Sequence, residues 1–175
     1  MKLRFLAIIL LVFAGRLTAA AQVSINELVK EWERSKTYTQ AYLDAMPDGK
    51  YELKPTQEMR SFAAQFLHLA DANYALFAAG ADLKSPVALG SLEKSTDQSK
   101  ANVTKIVMES YDFVISNLRK MSEQQMRENV RVFNKFEMTR AIAMVKTLEH
   151  QAHHRGQTTV YLRMGGVKPP EEQLF

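Results

Sequence analysis

The sequence predicts an all-α protein built as a four-helix bundle, and three observations lead there. The 175 residues include only 7 Gly and 5 Pro, too few punctuating residues for a chain of many short strands. Apolar residues recur at helical rather than alternating spacing in four separate stretches. Each stretch runs to about 23–27 residues, roughly 35–40 Å at 1.5 Å per residue, a matched set of lengths that suits bundle packing. A chain of this size has room for one core.

The N-terminus reads as an address. Lys2 and Arg4 precede an apolar run from Phe5 to Ala14, and Ala19-Ala20-Ala21 stand before Gln22. A basic start, an apolar middle and small residues at −3 and −1 describe a secretory signal. The apolar run is short of the roughly 20 residues a bilayer-spanning helix needs. Residues 1–21 are therefore expected to be a cleaved signal peptide, and Gln22–Phe175 the working domain. That domain is expected to be periplasmic or secreted, with no stable membrane insertion. Cleavage also changes the charge. The whole chain carries +4, but without the signal 20 basic residues face 19 acidic ones, so no nucleic-acid partner is expected. The absence of Cys excludes a disulfide framework, a thiolate metal site, a cysteine nucleophile and a lipid anchor on an N-terminal cysteine.

The first helix is expected over Ser24–Met46, with Ser24 and Glu27 as a capping box and Pro47-Asp48-Gly49 as its stop. Trp32, Tyr38 and Tyr42 on it read as core, or as the wall of a pocket. The second runs from Thr56, after Pro55, to Gly80. It is apolar nearly all round, which predicts burial. Ala81–Asp97 is a connector too long for a simple turn. The third helix covers Gln98–Met121. Ser122–Lys135 is polar and reads as a loop with a short extended piece. The fourth helix covers Glu137–Met164, ended by Gly165-Gly166, with Pro169-Pro170 beyond.

Chemistry concentrates in four histidines: His68, His150, His153 and His154. His150 and His154 are one turn apart on one face, a relation that lets two imidazoles share a metal ion. His153 is less well aligned. The spacing alone is a weak signal, because Ala141, Met144, Val145, Leu148, Ala152 and Leu162 centre opposite His150 and leave the His face open to solvent. His68 weighs the other way. It sits in the most apolar helix, flanked by Ser61, Ala64, Ala72 and Ala75. An unpaired imidazole there is costly, and a shared metal would satisfy it. From spacing alone, a three-His site and scattered polar histidines stay level. Asp71, at i+3 from His68, is a candidate to orient that ring or to lie outward. Gln157, facing the same side as His150, is a candidate to orient a water or substrate or to be an exposed amide. Arg155 points about 140° from His150 and reads as a surface or interhelical ion-pair residue. Gly156, a costly residue inside a helix, reads as a place where another helix packs closely.

The string Glu149-His150-Gln151-Ala152-His153-His154-Arg155-Gly156-Gln157 resembles the signature of the DinB-like (damage-inducible) four-helix-bundle superfamily. Phe66-Leu67-His68-Leu69-Ala70-Asp71 is similar to its second-helix His motif, and Trp32 and the closing Gly165–Pro170 segment also fit. The resemblance spans Ile25–Pro170. It implies an up-down-down-up bundle with a long connection between helices two and three, and a divalent metal held by His68, His150 and His154. His153 then takes a supporting or surface place. Family members characterised as enzymes are metal-dependent thiol transferases using low-molecular-weight thiols, and an exported chain departs from them because those thiols are cytoplasmic.

Three neutral imidazoles leave coordination positions open, the pattern of catalytic rather than closed structural sites. An ion there would activate water or a thiol. Imidazole ligands suit zinc, nickel, iron or copper, so ligand type does not choose the metal; the expected cofactor is a divalent cation, zinc or nickel first, then iron or manganese. Two functions follow: a metal-dependent transferase or hydrolase acting on a small molecule, with a thiol among the candidates, or a non-catalytic module that binds metal or a partner. A homodimer is compatible with the bundle's edges. Neither Glu-x-x-His pairs for a dimetal site nor phosphate-binding glycine loops occur.

Overall fold

The computed structural model describes residues 23–175; the expected signal peptide lies outside them. Helix α1 spans Ile25–Ala45. Its capping box forms as expected: Glu27 N donates to Ser24 Oγ at 3.2 Å, and Ser24 N donates to Glu27 Oε2 at 2.8 Å. Two amides left without helical partners are thereby satisfied.

Helix α2 spans Phe62–Ala81, capped by Ser61. It starts six residues later than the Thr56 expected from Pro55. The reason lies in residues 51–53, which fold back on the helix start. Phe62 N and Ala63 N donate to Leu53 O and Tyr51 O at 3.0 and 2.9 Å, and the buried Tyr51 ring meets Phe62 edge-on at 5.1 Å. The first-turn donors are used there, and Pro55 sits in a bend before the helix. As expected, α2 is buried nearly all round.

Helix α3 spans Lys100–Leu118. The polar stretch after it is more ordered than its composition implied. It holds a one-turn helix α4 (Glu123–Arg127), with a second capping box from Ser122 and Gln125, and an antiparallel hairpin of β1 (Asn129–Val132) and β2 (Phe136–Thr139). Helix α5 spans Arg140–Met164, beginning after Glu137 because that residue pairs with Arg131 across the hairpin. Among the described residues no helix is long and apolar enough to cross a membrane.

Cross-helix pairs give the directions. Lys100 Nζ reaches Met46 O, Lys36 reaches Asp112, and Glu123 reaches Ile25 N, so α1 and α3 are antiparallel. Ser35, Thr39 and Tyr42 meet Gln151, Arg155 and Thr159 in that order, so α1 and α5 are parallel. Arg60 and Gln65 meet Tyr161 while Gly80 meets Ala143 and Arg140, so α2 and α5 are antiparallel. Asn73 meets Ser110, and Phe77 meets Phe113, so α2 and α3 are parallel. The bundle is up-down-down-up, and the chain between α2 and α3 runs back along its length.

The core is one cluster from Trp32, Tyr51, Phe62, Phe66, Phe77, Tyr111, Leu118, Met144 and Tyr161. Trp32 has no exposure, and Tyr38 and Tyr42 are buried, so these aromatics are core rather than pocket wall. Arg140, itself buried, donates to Gly80 O at 3.0 Å and pairs with Glu128, tying the hairpin end of α5 to the end of α2.

The close packing expected at Gly156 is found at Gly80 instead. A Cβ on Gly156 would meet nothing within 4 Å, so no close packing explains it. One on Gly80 would fall 2.8 Å from Met144 Cε and 2.9 Å from Ala143 Cβ. Gly80→Ala is therefore expected to destabilise the fold by about 1–3 kcal/mol through overpacking. Gly156→Ala is expected to stabilise it by about 0.5–1 kcal/mol through helix propensity. Urea denaturation of the two variants measures both, and opposite signs are the expected result.

Candidate metal centre

The buried stripe of α5 is not the one its apolar residues suggested. Val145 and Ala152 are exposed, whereas Thr147, Gln151, His154, Arg155, Thr158 and Tyr161 are buried. Helix α5 packs on α2 along one side and on α1 along another, so its polar residues point into two interior seams. The His face lies in the first.

In that seam the structure brings together His68, His150 and His154. One ligand nitrogen from each lies within 4.8 Å of the others, a grouping able to hold a metal ion. The ring centroids of His68 and His150 are 5.4 Å apart, and each is close to His154, at 4.5 Å. Around an ion with bonds of about 2.0–2.1 Å, tetrahedral nitrogens would stand about 3.3 Å apart, so small ring movements close the set. His153 is exposed and stays outside it; its Nε2 receives Gln157 Nε2 at 2.7 Å.

Hydrogen bonds orient two of the rings. His154 Nδ1 donates to Gln65 Oε1 at 2.9 Å, which leaves the lone pair on Nε2. Gln65 is fixed in turn, donating to Gln157 Oε1 at 2.9 Å and to the Tyr161 hydroxyl at 3.2 Å. His68 Nδ1 faces the Glu93 carboxylate, with Arg60 Nη2 at 3.3 Å from the same atom. An ionised carboxylate only accepts, so this Nδ1 carries the proton. His150 Nδ1 is buried with no hydrogen-bond partner, an orphaned polar atom of the kind found where something else is to be bound.

The electrostatics agree. Burial, with neighbouring His68 and His153, pushes His150 down to about 4; burial, with His150 and His68, pushes His154 down to about 3. Both rings are neutral at neutral pH and offer lone pairs rather than charge. Burial raises the Glu93 carboxyl, but hydrogen bonds from Arg60 and His68 outweigh it and hold it below the usual value.

Asp71 neither orients His68 nor lies outward. It is buried, 1% exposed, and accepts from Leu92 N at 3.3 Å and Glu93 N at 3.1 Å. The carboxylate on His68 is Glu93, from the 3₁₀ turn Leu92–Lys94 in the connector. Nothing in the sequence marks it, because the contact joins residues 25 positions apart through a loop. Gln65 did carry a signal, three residues before His68 and on a neighbouring face. Gln157 is not a free amide: both of its ends are used within the protein. A surface cleft of about 1000 Å³, lined by Asp48, Glu58, Arg60, Ser61 and Ser99 among others, opens beside the rings rather than over them. Arg60 is the residue that faces both.

The second seam decides between the readings of Arg155: it is interhelical, but its partners are not carboxylates. Pointing away from His150, it enters the α1–α5 contact instead of solvent and is 7% exposed. Its Nη1 donates to Gln151 Oε1 at 2.7 Å and Thr39 Oγ1 at 3.2 Å, and the guanidinium lies 4.6 Å over the Tyr38 ring. Tyr111 donates to Gln151 Oε1 at 2.6 Å and stands 2.7 Å from Thr39 Oγ1.

A four-helix bundle with three clustered imidazoles on its second and last helices defines a class of histidine-site helical proteins. The DinB family model matches residues 21–174, and the chain belongs to the DinB family. Solved structures of similar fold include a DinB-like protein from Bacillus cereus, with 19% identity and a TM-score of 0.75 over 86% of this chain and 98% of that one. A DinB-like protein, YjoA, from Bacillus subtilis has 17% identity and a TM-score of 0.65 over 85% and 96%. YfiT from Bacillus subtilis, described as a probable metal-dependent hydrolase with an unusual four-helix bundle topology, has 16% identity and a TM-score of 0.63 over 83% and 91%. At these identities the likeness shows the fold. No relative was found among curated proteins.

Two outcomes follow for the second seam. Arg155→Ala is expected to cost about 2–3 kcal/mol in urea denaturation, since it removes two charge-assisted hydrogen bonds and the contact with the Tyr38 ring from the interior. Burial pushes the Tyr111 hydroxyl up to about 12, against the lowering effect of Arg155 and Thr39. The folded state thus favours the neutral phenol. Its contribution is complete below the unfolded value near 10 and falls as pH rises from about 10 to about 12. Alkaline unfolding in that window, with delayed tyrosinate absorbance, is the expected observation, and Tyr111→Phe should remove this part of it.

Proposed function

We propose that this chain is an exported DinB-family hydrolase that holds one divalent cation, foremost zinc or nickel, on His68, His150 and His154. The carrying observation is the grouping of three ligand nitrogens within 4.8 Å. The donor chemistry supports it: the His150 and His154 rings are held neutral, and Nδ1 of His150 is buried without a partner. Such a cation would supply Lewis acidity and lower the pKa of a bound water. The protein's own part is positional. Gln65 holds the His154 ring with its Nε2 free, and Gln157 and Tyr161 hold Gln65. Water is favoured over a thiol as the activated group because the similar YfiT is described as a probable hydrolase. An exported protein also meets no cytoplasmic thiol pool. The partner is a small-molecule substrate. Export rests on the signal-like residues 1–21, and N-terminal sequencing of the exported chain should begin at Gln22.

One observation favours a second reading, a metal-binding module without turnover: the 1000 Å³ cleft lies beside the rings, not over them. A single set of measurements separates the two. Untagged protein supplemented with zinc and nickel is expected to retain about one metal per chain by elemental analysis. His68→Ala and His150→Ala are expected to lose it while remaining helical by circular dichroism. The hydrolase reading expects turnover of model esters or amides that disappears in both variants and on chelation. Metal uptake with no turnover supports the binding module, and wild-type protein free of metal removes both.

A further inference from the structure

The connector between α2 and α3 reaches the histidine cluster with a carboxylate and is itself anchored by another. Asp71, buried on α2 one turn beyond His68, accepts from the amides of Leu92 and Glu93. Those two bonds fix the backbone at the 3₁₀ turn and aim the Glu93 side chain back at α2. There one oxygen meets His68 Nδ1, and Arg60 Nε donates to the other at 2.8 Å. A carboxylate on the remote nitrogen of an imidazole does three things: it fixes the tautomer, stops ring rotation and makes the opposite nitrogen a stronger donor.

We infer that the connector is a functional part of the metal centre, with Glu93 as the positioning residue for His68, so that connector docking and cation binding strengthen one another. The inference rests on the reading of the cluster as a metal site. Linkage requires the effect to be reciprocal: whatever factor docking adds to cation affinity, the bound cation adds to docking. Ser95, Thr96 and Gln98, just beyond the turn, line the neighbouring cleft, so one wall of that cleft is set by a segment the ion would steady.

The test compares full-length mature wild type with Glu93→Ala and Glu93→Gln, using zinc alone as the probe. Competition against a chromophoric chelator is expected to show affinity about 10- to 100-fold weaker in Glu93→Ala. Glu93→Gln, which keeps an acceptor and loses the charge, is expected to fall between. With cobalt(II) in place of zinc, the visible absorption bands of Glu93→Ala should be displaced from wild type, a change that simple loosening of a surface loop would not produce. Backbone hydrogen exchange over residues 89–96 should slow on zinc addition in wild type and not in Glu93→Ala. Equal affinity and identical cobalt spectra in wild type and Glu93→Ala overturn the inference and leave the metal site standing. Wild type that takes up no zinc overturns the metal site itself.

Discussion

Helices α2 and α3 run in the same direction, and much else in the molecule follows from that. A short turn joins only antiparallel neighbours, so the chain between them has to return along the bundle. An 18-residue segment from Asp82 to Ser99 does this, packing its 3₁₀ turn against α2 at the level of His68. In an up-down-up-down bundle no such strand of chain would exist, and the outer nitrogen of His68 would face water. Helix α2 packs between α3 and α5, and the returning connector and strand β1 cover it further, which is why the most apolar helix is the one buried nearly all round and why its few polar side chains must find partners inside.

The last helix serves two interiors of different character. Toward α2 it presents two neutral imidazoles, one of them held by the Gln65 amide, which face a third ring on α2 backed by a carboxylate. Toward α1 it presents a guanidinium dissolved in hydroxyls, an amide and an aromatic face, with no carboxylate among its hydrogen-bond partners. A buried cation without a counter-ion is tolerable only when most of its donors are matched and its charge is spread. Keeping Arg155 on the far seam also keeps its positive charge out of the seam where a cation would bind.

Local signals were the readable ones. Ser24 and Glu27 announce a helix start because their interaction closes within four residues, and His150 and His154 share a face because helix geometry alone decides it. What stayed hidden was anything depending on which helices touch. Arg155 read as a surface or interhelical ion-pair residue; the order of helices around the bundle gave α5 a second buried stripe, which puts it between helices with no carboxylate to pair. Asp71 was seen as a partner for His68 because it is near in sequence, whereas the loop that uses it arrives from twenty positions on. Gly156 and Gly80 look alike in the string, yet only the second faces the Ala143–Met144 ridge. The delayed start of α2 came from Tyr51 and Leu53 folding back, a long-range choice that overrode the local promise of Pro55.

The cluster is made of nitrogen throughout, in a chain that contains no cysteine. Sites built on thiolates can be dismantled by peroxide or by exchange with a foreign disulfide, because sulfur is both the ligand and the target. Imidazoles offer those reagents no such handle. A protein with this arrangement retains its ligating atoms where the redox balance swings toward oxidation, and its vulnerability moves to acid and chelators, which compete for the same lone pairs or for the ion they would hold.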